Sequence, residues 1–191
     1  QNALVQFATL YNLWIDYLHT NITKQAVHLP WKKIAQHFTF KNNFVPLYMN
    51  SHNLQDIYVK RANIMSTFLR MEGFQLDHSF KSKFISRNRI KIGILSNGFY
   101  SLTEATSTLS CYKYLDRSKF EIILLSIEKV NTELESYCKK FADSFVHLQG
   151  SLPEIAKTIR SYNLDIVYLG TNVAAVTHIV TLLALFKLGR I

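Results

Sequence analysis

Cysteine is scarce: the 191 residues hold two, Cys111 and Cys138, far apart and inside helix-like stretches. That excludes a disulfide framework and a metal-ligand spacing, so a reducing cytoplasm is the expected location and no metal site is expected. No secretory signal pattern is visible. No apolar run is long enough for a membrane span; VAAVTHIVTLLALF (173–186) is the longest, and it carries Thr177, His178 and Thr181. It reads as a buried helix. There is no initiator Met, and both ends fall in mid-pattern, which suggests a piece of a longer protein.

What is present is a nearly half-apolar chain with a formal charge of +9. The excess is uneven: eleven of the 22 Lys/Arg but only four of the 13 Asp/Glu precede Lys91. No basic stripe with interleaved aromatics and no nucleic-acid module accompanies it, so nucleic acid is not an expected partner.

The texture divides in two. Over residues 1–80 the apolar positions repeat at helical spacing. Leu4, Phe7, Ala8, Tyr11, Trp14, Ile15 and Leu18 predict one helix face, and Pro30 predicts the first turn of a second helix. NLQDIYVKRANIMSTFLRMEG predicts a third, with Asn53 as N-cap, Gly73 as stop and Leu54, Ile57, Ile64, Phe68 and Leu69 as its stripe. A charged connector, 81–89, follows. From 90 to 191 strands and helices alternate: IKIGILS, FEIILLSI, SFVHL and LDIVYLG are strands rich in Ile, Leu and Val, with helices between them and a last helix from about Asn172. The expected fold class is α/β, a helical segment followed by an open parallel Rossmann-like sheet.

In such a sheet ligands lie beyond the carboxyl ends of the strands. Those ends are Ser96 to Tyr100, Glu128 and Lys129, Gln149 and Gly150, and Gly170 to Asn172. The first turn, SNGFYSLTEAT, has Gly98 alone; neither a three-glycine dinucleotide fingerprint nor a G-K-[ST] phrase is present. It is not built for a pyrophosphate. Thr103 and Glu104 stand near a helix start, where they either face a ligand or cap the helix and complement its dipole. His147 ends a strand and His178 sits on an apolar helix, both ordinary structural places. No carboxylate pair, Ser/His/Asp order or His/Cys cluster suggests self-contained catalysis.

LQDIYVKRANIMSTFLRMEGFQLD, RIKIGILSNGFYSLTEAT, LDRSKFEIILLS and IAKTIRSYNLDIVYLGTNVAAVTHIVTLLALFKLGRI, in this order and spacing, resemble the front of the catalytic region of O-GlcNAc-transferase-like glycosyltransferases. The likeness spans residues 53–191 and is nearest the SPINDLY- and adhesin-glycosyltransferase-related bacterial branch. It implies the N-terminal half of a GT-B fold, on the acceptor side of a cleft. A UDP-sugar donor, a protein or peptide acceptor, and a second domain past Ile191 holding the nucleotide contacts are implied with it. Relatives carry a histidine in the turn after the first strand; this sequence has none there. The resemblance leaves Glu104 as the candidate base and Asn97, Tyr100, Thr103 and Asn172 as candidate acceptor contacts. Asn172 is equally placed to cap the last helix. The competing reading is a non-enzymatic interaction module whose basic, aromatic helical half binds an acidic partner.

Overall fold

The computed structural model describes residues 2–25, 28–49, 51, 53–74, 76, 88–100, 102–172 and 174. They form two compact units, one carrying three helices and the other a sheet with three helices.

The helical unit comprises α1 (Asn2–Gln25), α2 (Leu29–Lys41), a 3-10 turn (Val45–Met49) and α3 (Gln55–Met71). In α1 the buried positions are Ala8, Ile15, Leu18 and Ile22, with the half-buried Tyr11 on the same seam. Phe7 and Trp14, expected on that face, are 39% and 42% exposed. Each lies about 100° around the helix from a seam residue, which leaves it on the flank. Pro30 sits in the first turn of α2. Leu54, expected in the buried stripe, instead takes the N-cap position expected of Asn53; Asn53 Oδ1 accepts from the Gln55 amide at 2.9 Å, and Gly73 ends α3 at φ +80°, a conformation that glycine adopts without cost. The buried stripe of α3 holds Ile57, Ile64, Phe68 and Leu69 as expected, together with Met65 and, unexpectedly, Arg61. Lys60 ties α3 to α1 by reaching both Asp56 and Asp16.

The second unit runs β1 (Ile90–Ser96), α4 (Leu102–Tyr112), β2 (Phe120–Ser126), α5 (Glu133–Lys139), β3 (Ser144–His147), α6 (Leu152–Ser161) and β4 (Ile166–Leu169). All pairings are parallel and the strand order is β3-β2-β1-β4. This is the open α/β sheet that the sequence predicts. β1 and β2 are buried along their last five residues. Ile92, Ile94, Ile122 and Leu124 pack with Ala105, Leu109 and Tyr112 of α4 and Cys138 of α5. On the opposite face Leu164 lies so close to β1 that a Cβ on Gly93 would come within 2.3 Å of its Cδ1. In β4, by contrast, Ile166 and Tyr168 are exposed; the strand is an edge among the described residues, so only half of its apolar run is covered.

The amino ends of the strands are tied by ions. Asp143, before β3, accepts from the Ile122 amide at 2.8 Å, from Arg89 at 2.7 Å and from Arg117 at 3.4 Å. Of the expected connector 81–89, residues 81–87 lie outside the described residues, as do residue 173 and residues 175–191 of the expected last helix, His178 among them.

Candidate functional site

The strand order fixes where a ligand can sit. From β1 the chain moves one way to β2 and β3, then crosses back to place β4 on the other side. The order therefore reverses between β1 and β4, and in open α/β sheets the crevice at the carboxyl ends of such strands is the usual ligand position. Every site residue expected from sequence lies at this end of the sheet.

Two polar groupings form there. In the first, the turn after β1 meets the turn after β2, because parallel register sets Ser96 beside Ser126. The Ile127 and Glu128 amides donate to the Ser96 and Asn97 carbonyls at 3.1 and 2.7 Å. Asn97 is buried and donates from Nδ2 to Glu128 Oε1 at 3.0 Å and to the Tyr100 hydroxyl at 3.2 Å. Burial pushes the Tyr100 phenol above its ordinary pKa; the Asn97 donor opposes the shift and Glu128 adds to it. The Tyr100 ring lies over Gly98, where a Cβ would come within 2.3 Å of its Cε1. The glycine in this turn therefore makes room for an aromatic side chain.

In the second grouping the start of α4 meets the turn after β4. Glu104 Oε2 accepts from Thr171 Oγ1 at 3.0 Å, and Oε1 accepts from the Asn172 amide at 3.0 Å. Thr108, one turn along α4, has its Oγ1 2.6 Å from the Glu104 carbonyl and 3.3 Å from that of Gly170. Ser96 Oγ lies 3.1 Å from the Gly98 carbonyl and 3.4 Å from that of Gly170, so it sits between the two groupings. Thr103 is exposed on the first turn of α4, and its carbonyl accepts from Ser107 Oγ at 2.7 Å.

The five expected residues are thus brought to one edge but divided between two clusters. Asn97 and Tyr100 share one, Glu104 and the Asn172 backbone share the other, and Thr103 stands beside the second. The sequence places Glu128 and Thr171 only as turn residues; what makes them partners is the strand register and order. His147 is engaged at both nitrogens, with Nε2 3.2 Å from the Ile127 carbonyl and Nδ1 2.9 Å from Gln149 Nε2, the ordinary use of a strand-end histidine.

The electrostatics of this edge are unsuited to a diphosphate. Glu104 occupies the first turn of α4, where an anion would otherwise use the helix dipole, and Glu128 stands on the other side of the turn. Hydroxyls, amides and peptide groups suit it better. Among the described residues no group of His, Cys, Asp and Glu could hold a metal ion, and no helix is long and apolar enough to cross a membrane.

No family model and no curated protein matches the sequence. Solved structures do match: 31 chains are similar in fold. One is a point mutant of the Thermobaculum terrenum O-GlcNAc transferase, with a TM-score of 0.50 at 13% identity over 82% of this chain. The present chain spans 29% of that one. At this identity the likeness is one of fold alone: a helical part followed in sequence by an open parallel sheet.

Proposed function

We propose that this chain is the acceptor-side part of a protein glycosyltransferase of GT-B architecture that uses a UDP-sugar. The observation that carries the reading is the polar edge at the β1/β4 switch point, rich in hydroxyl and amide groups and flanked by Glu104 and Glu128. In the proposed reaction a hydroxyl or amide of a protein acceptor attacks the anomeric carbon of a hexose or N-acetylhexosamine. The bond from that carbon to the diphosphate oxygen breaks, UDP leaves with the electron pair, and the acceptor proton passes to a base. The enzyme's task is alignment and stabilisation of the leaving group.

Within this scheme the exposed groups, Tyr100 and Thr103, touch the acceptor. Asn97 holds Tyr100, and Glu104 holds the turn carrying Asn172. Glu104 is proposed as a positioning residue, since both its oxygens already accept hydrogen bonds. The UDP-binding groups belong to a second domain that this chain does not include, and the enzyme acts in the cytoplasm.

The test is calorimetry with UDP, UDP-glucose and UDP-N-acetylglucosamine, on this chain and on the longest product of its gene. Binding by the longer protein alone supports the reading. Binding of UDP by the 191-residue chain refutes its assignment to the acceptor side. Absence of binding in both refutes a UDP-sugar donor.

A further inference from the structure

The helical unit carries a feature that the sheet edge does not explain. α1 and α2 enclose a groove of about 280 Å³ lined by Trp14, Leu18, Ile34, Phe38, His37 and Lys41. Trp14 is 42% exposed at its mouth, and Leu10, Leu13 and Tyr17 continue the apolar surface along α1 at more than 60% exposed each. A contiguous apolar strip of this kind on a folded surface marks an interaction site more often than scattered exposed residues do.

The α2 side adds charge at the rim. His37 and Lys41 line the groove beside Ile34 and Phe38, and Lys33 continues their row one turn back along the helix; all three are exposed. The three acidic residues of α1 and α3 and of the turn after α3 are already engaged elsewhere: Asp16 and Asp56 with Lys60, and Glu72 with Lys32 at 2.9 Å. No carboxylate among the described residues pairs with Lys33 or Lys41. An apolar slot whose rim carries positive charge unpaired by any carboxylate among the described residues is complementary to an apolar side chain flanked by acidic ones.

We infer that this groove docks an acidic peptide segment of a partner protein, with one large apolar side chain of that segment entering between Trp14, Ile34 and Phe38. The cavity has room for a single such side chain and is too small for a nucleotide or a drug-sized ligand. The inference stands apart from the glycosyltransferase reading, since none of its residues lies in the sheet unit.

The probe is a fluorescein-labelled peptide, Glu-Asp-Glu-Leu-Phe-Glu-Asp-Glu, titrated with the whole 191-residue chain and read by anisotropy at low salt. Saturable binding is expected. The double variant Lys33→Glu/Lys41→Glu weakens it about tenfold, as reversal of two rim charges should. Replacing the peptide's Leu-Phe by Ala-Ala weakens it at least as much. Lys157→Glu, an exposed position on α6, leaves it unchanged. Both lysines are exposed, and circular dichroism of the double variant checks that it is folded. The inference is overturned by no binding at millimolar chain. Equal affinity for the charge-reversed chain, equal binding of a labelled oligothymidylate, or self-association of the chain that excludes the peptide overturns it too.

Discussion

Glu104 is where a catalytic and a positioning role make different predictions. Its carboxylate receives two hydrogen bonds at 3.0 Å, from the Thr171 hydroxyl and the Asn172 amide, and so links the first turn of α4 to the exit of β4. A hydrogen bond to a charged acceptor contributes about 1.5–3 kcal/mol when buried. These groups are half-buried and regain water when the link is cut, so Glu104→Ala should cost about 2 kcal/mol in all. Glu104→Gln keeps one acceptor oxygen but turns an N–H toward the other donor, and about 1 kcal/mol is expected. Thr171→Val removes one bond and should also cost about 1 kcal/mol. Paired with Glu104→Ala, it should show a coupling of close to 1 kcal/mol.

The reporter has to lie in the sheet unit. Both tryptophans, Trp14 and Trp31, are in the helical unit, so their fluorescence follows the wrong part of the molecule. Amide hydrogen exchange in β1 and β2 under a urea series reads the right one. With a urea slope of about 2 kcal/mol/M, Glu104→Ala should lower the midpoint by about 1 M. A coupling below about 0.3 kcal/mol, within the error of additive sites, would refute the clamp.

Three further outcomes are expected. Burial works against the charge of Asp143, but the Ile122 amide, Arg89 and Arg117 more than offset it and hold its carboxyl below the ordinary range. A depressed carboxyl stabilises the fold above its unfolded pKa of about 3.9, and that stability is lost as pH falls through the folded value. Asp143→Asn should therefore cost about 2 kcal/mol at pH 7 and progressively less as pH falls below about 4, read by urea midpoints; a cost that does not change with pH is the refuting result. Arg61 is only 6% exposed, stacks over Phe44 at 4.0 Å and has no acidic partner among the described residues. Arg61→Met keeps the stem and removes a desolvated cation, so tryptophan-monitored stability should rise by about 1 kcal/mol, whereas a loss of that size would mean that the cation–π contact outweighs desolvation. Gly93→Ala forces Leu164 to move and should cost about 1–3 kcal/mol in the exchange of β1 amides; no change would mean that Leu164 has free room.

The sheet was legible because its signal is local. Uninterrupted Ile, Leu and Val in β1 and β2 mean burial on both faces, and the helices between them force parallel order. The helical unit was harder to read at the flanks. Phe7 and Trp14 are as apolar as Ile15, and only packing against α2 and α3 decides which of them the seam covers. Arg61 was invisible as a core position, since its charge argues for solvent and only the aromatic surroundings of Phe44 and Tyr58 accommodate it. At the sheet edge, the positions could be read from strand–turn–helix patterning, but the partners could not. Glu104 meets Thr171 across most of the domain, and that pairing exists only because β4 returns to lie beside β1.

That return also decides what the edge is able to do. A diphosphate at a switch point needs free backbone N–H groups at a helix start and no fixed anion beside them. Here the β4 crossover brings Thr171 and Asn172 against the first turn of α4, and Glu104 fills the position that a phosphate would take. The β1–β2 register then sets Glu128 across the same turn, where its carboxylate accepts from Asn97. Two carboxylates around one turn favour hydrogen-bond donors such as hydroxyls and amides over anions. Substituting Glu104 and Glu128 together by Gln should therefore raise affinity for free phosphate at this edge from undetectable to measurable by calorimetry. If phosphate binds the unmodified chain as well as the double variant, the carboxylates do not set the preference, and the assignment of this edge to an acceptor loses its physical basis.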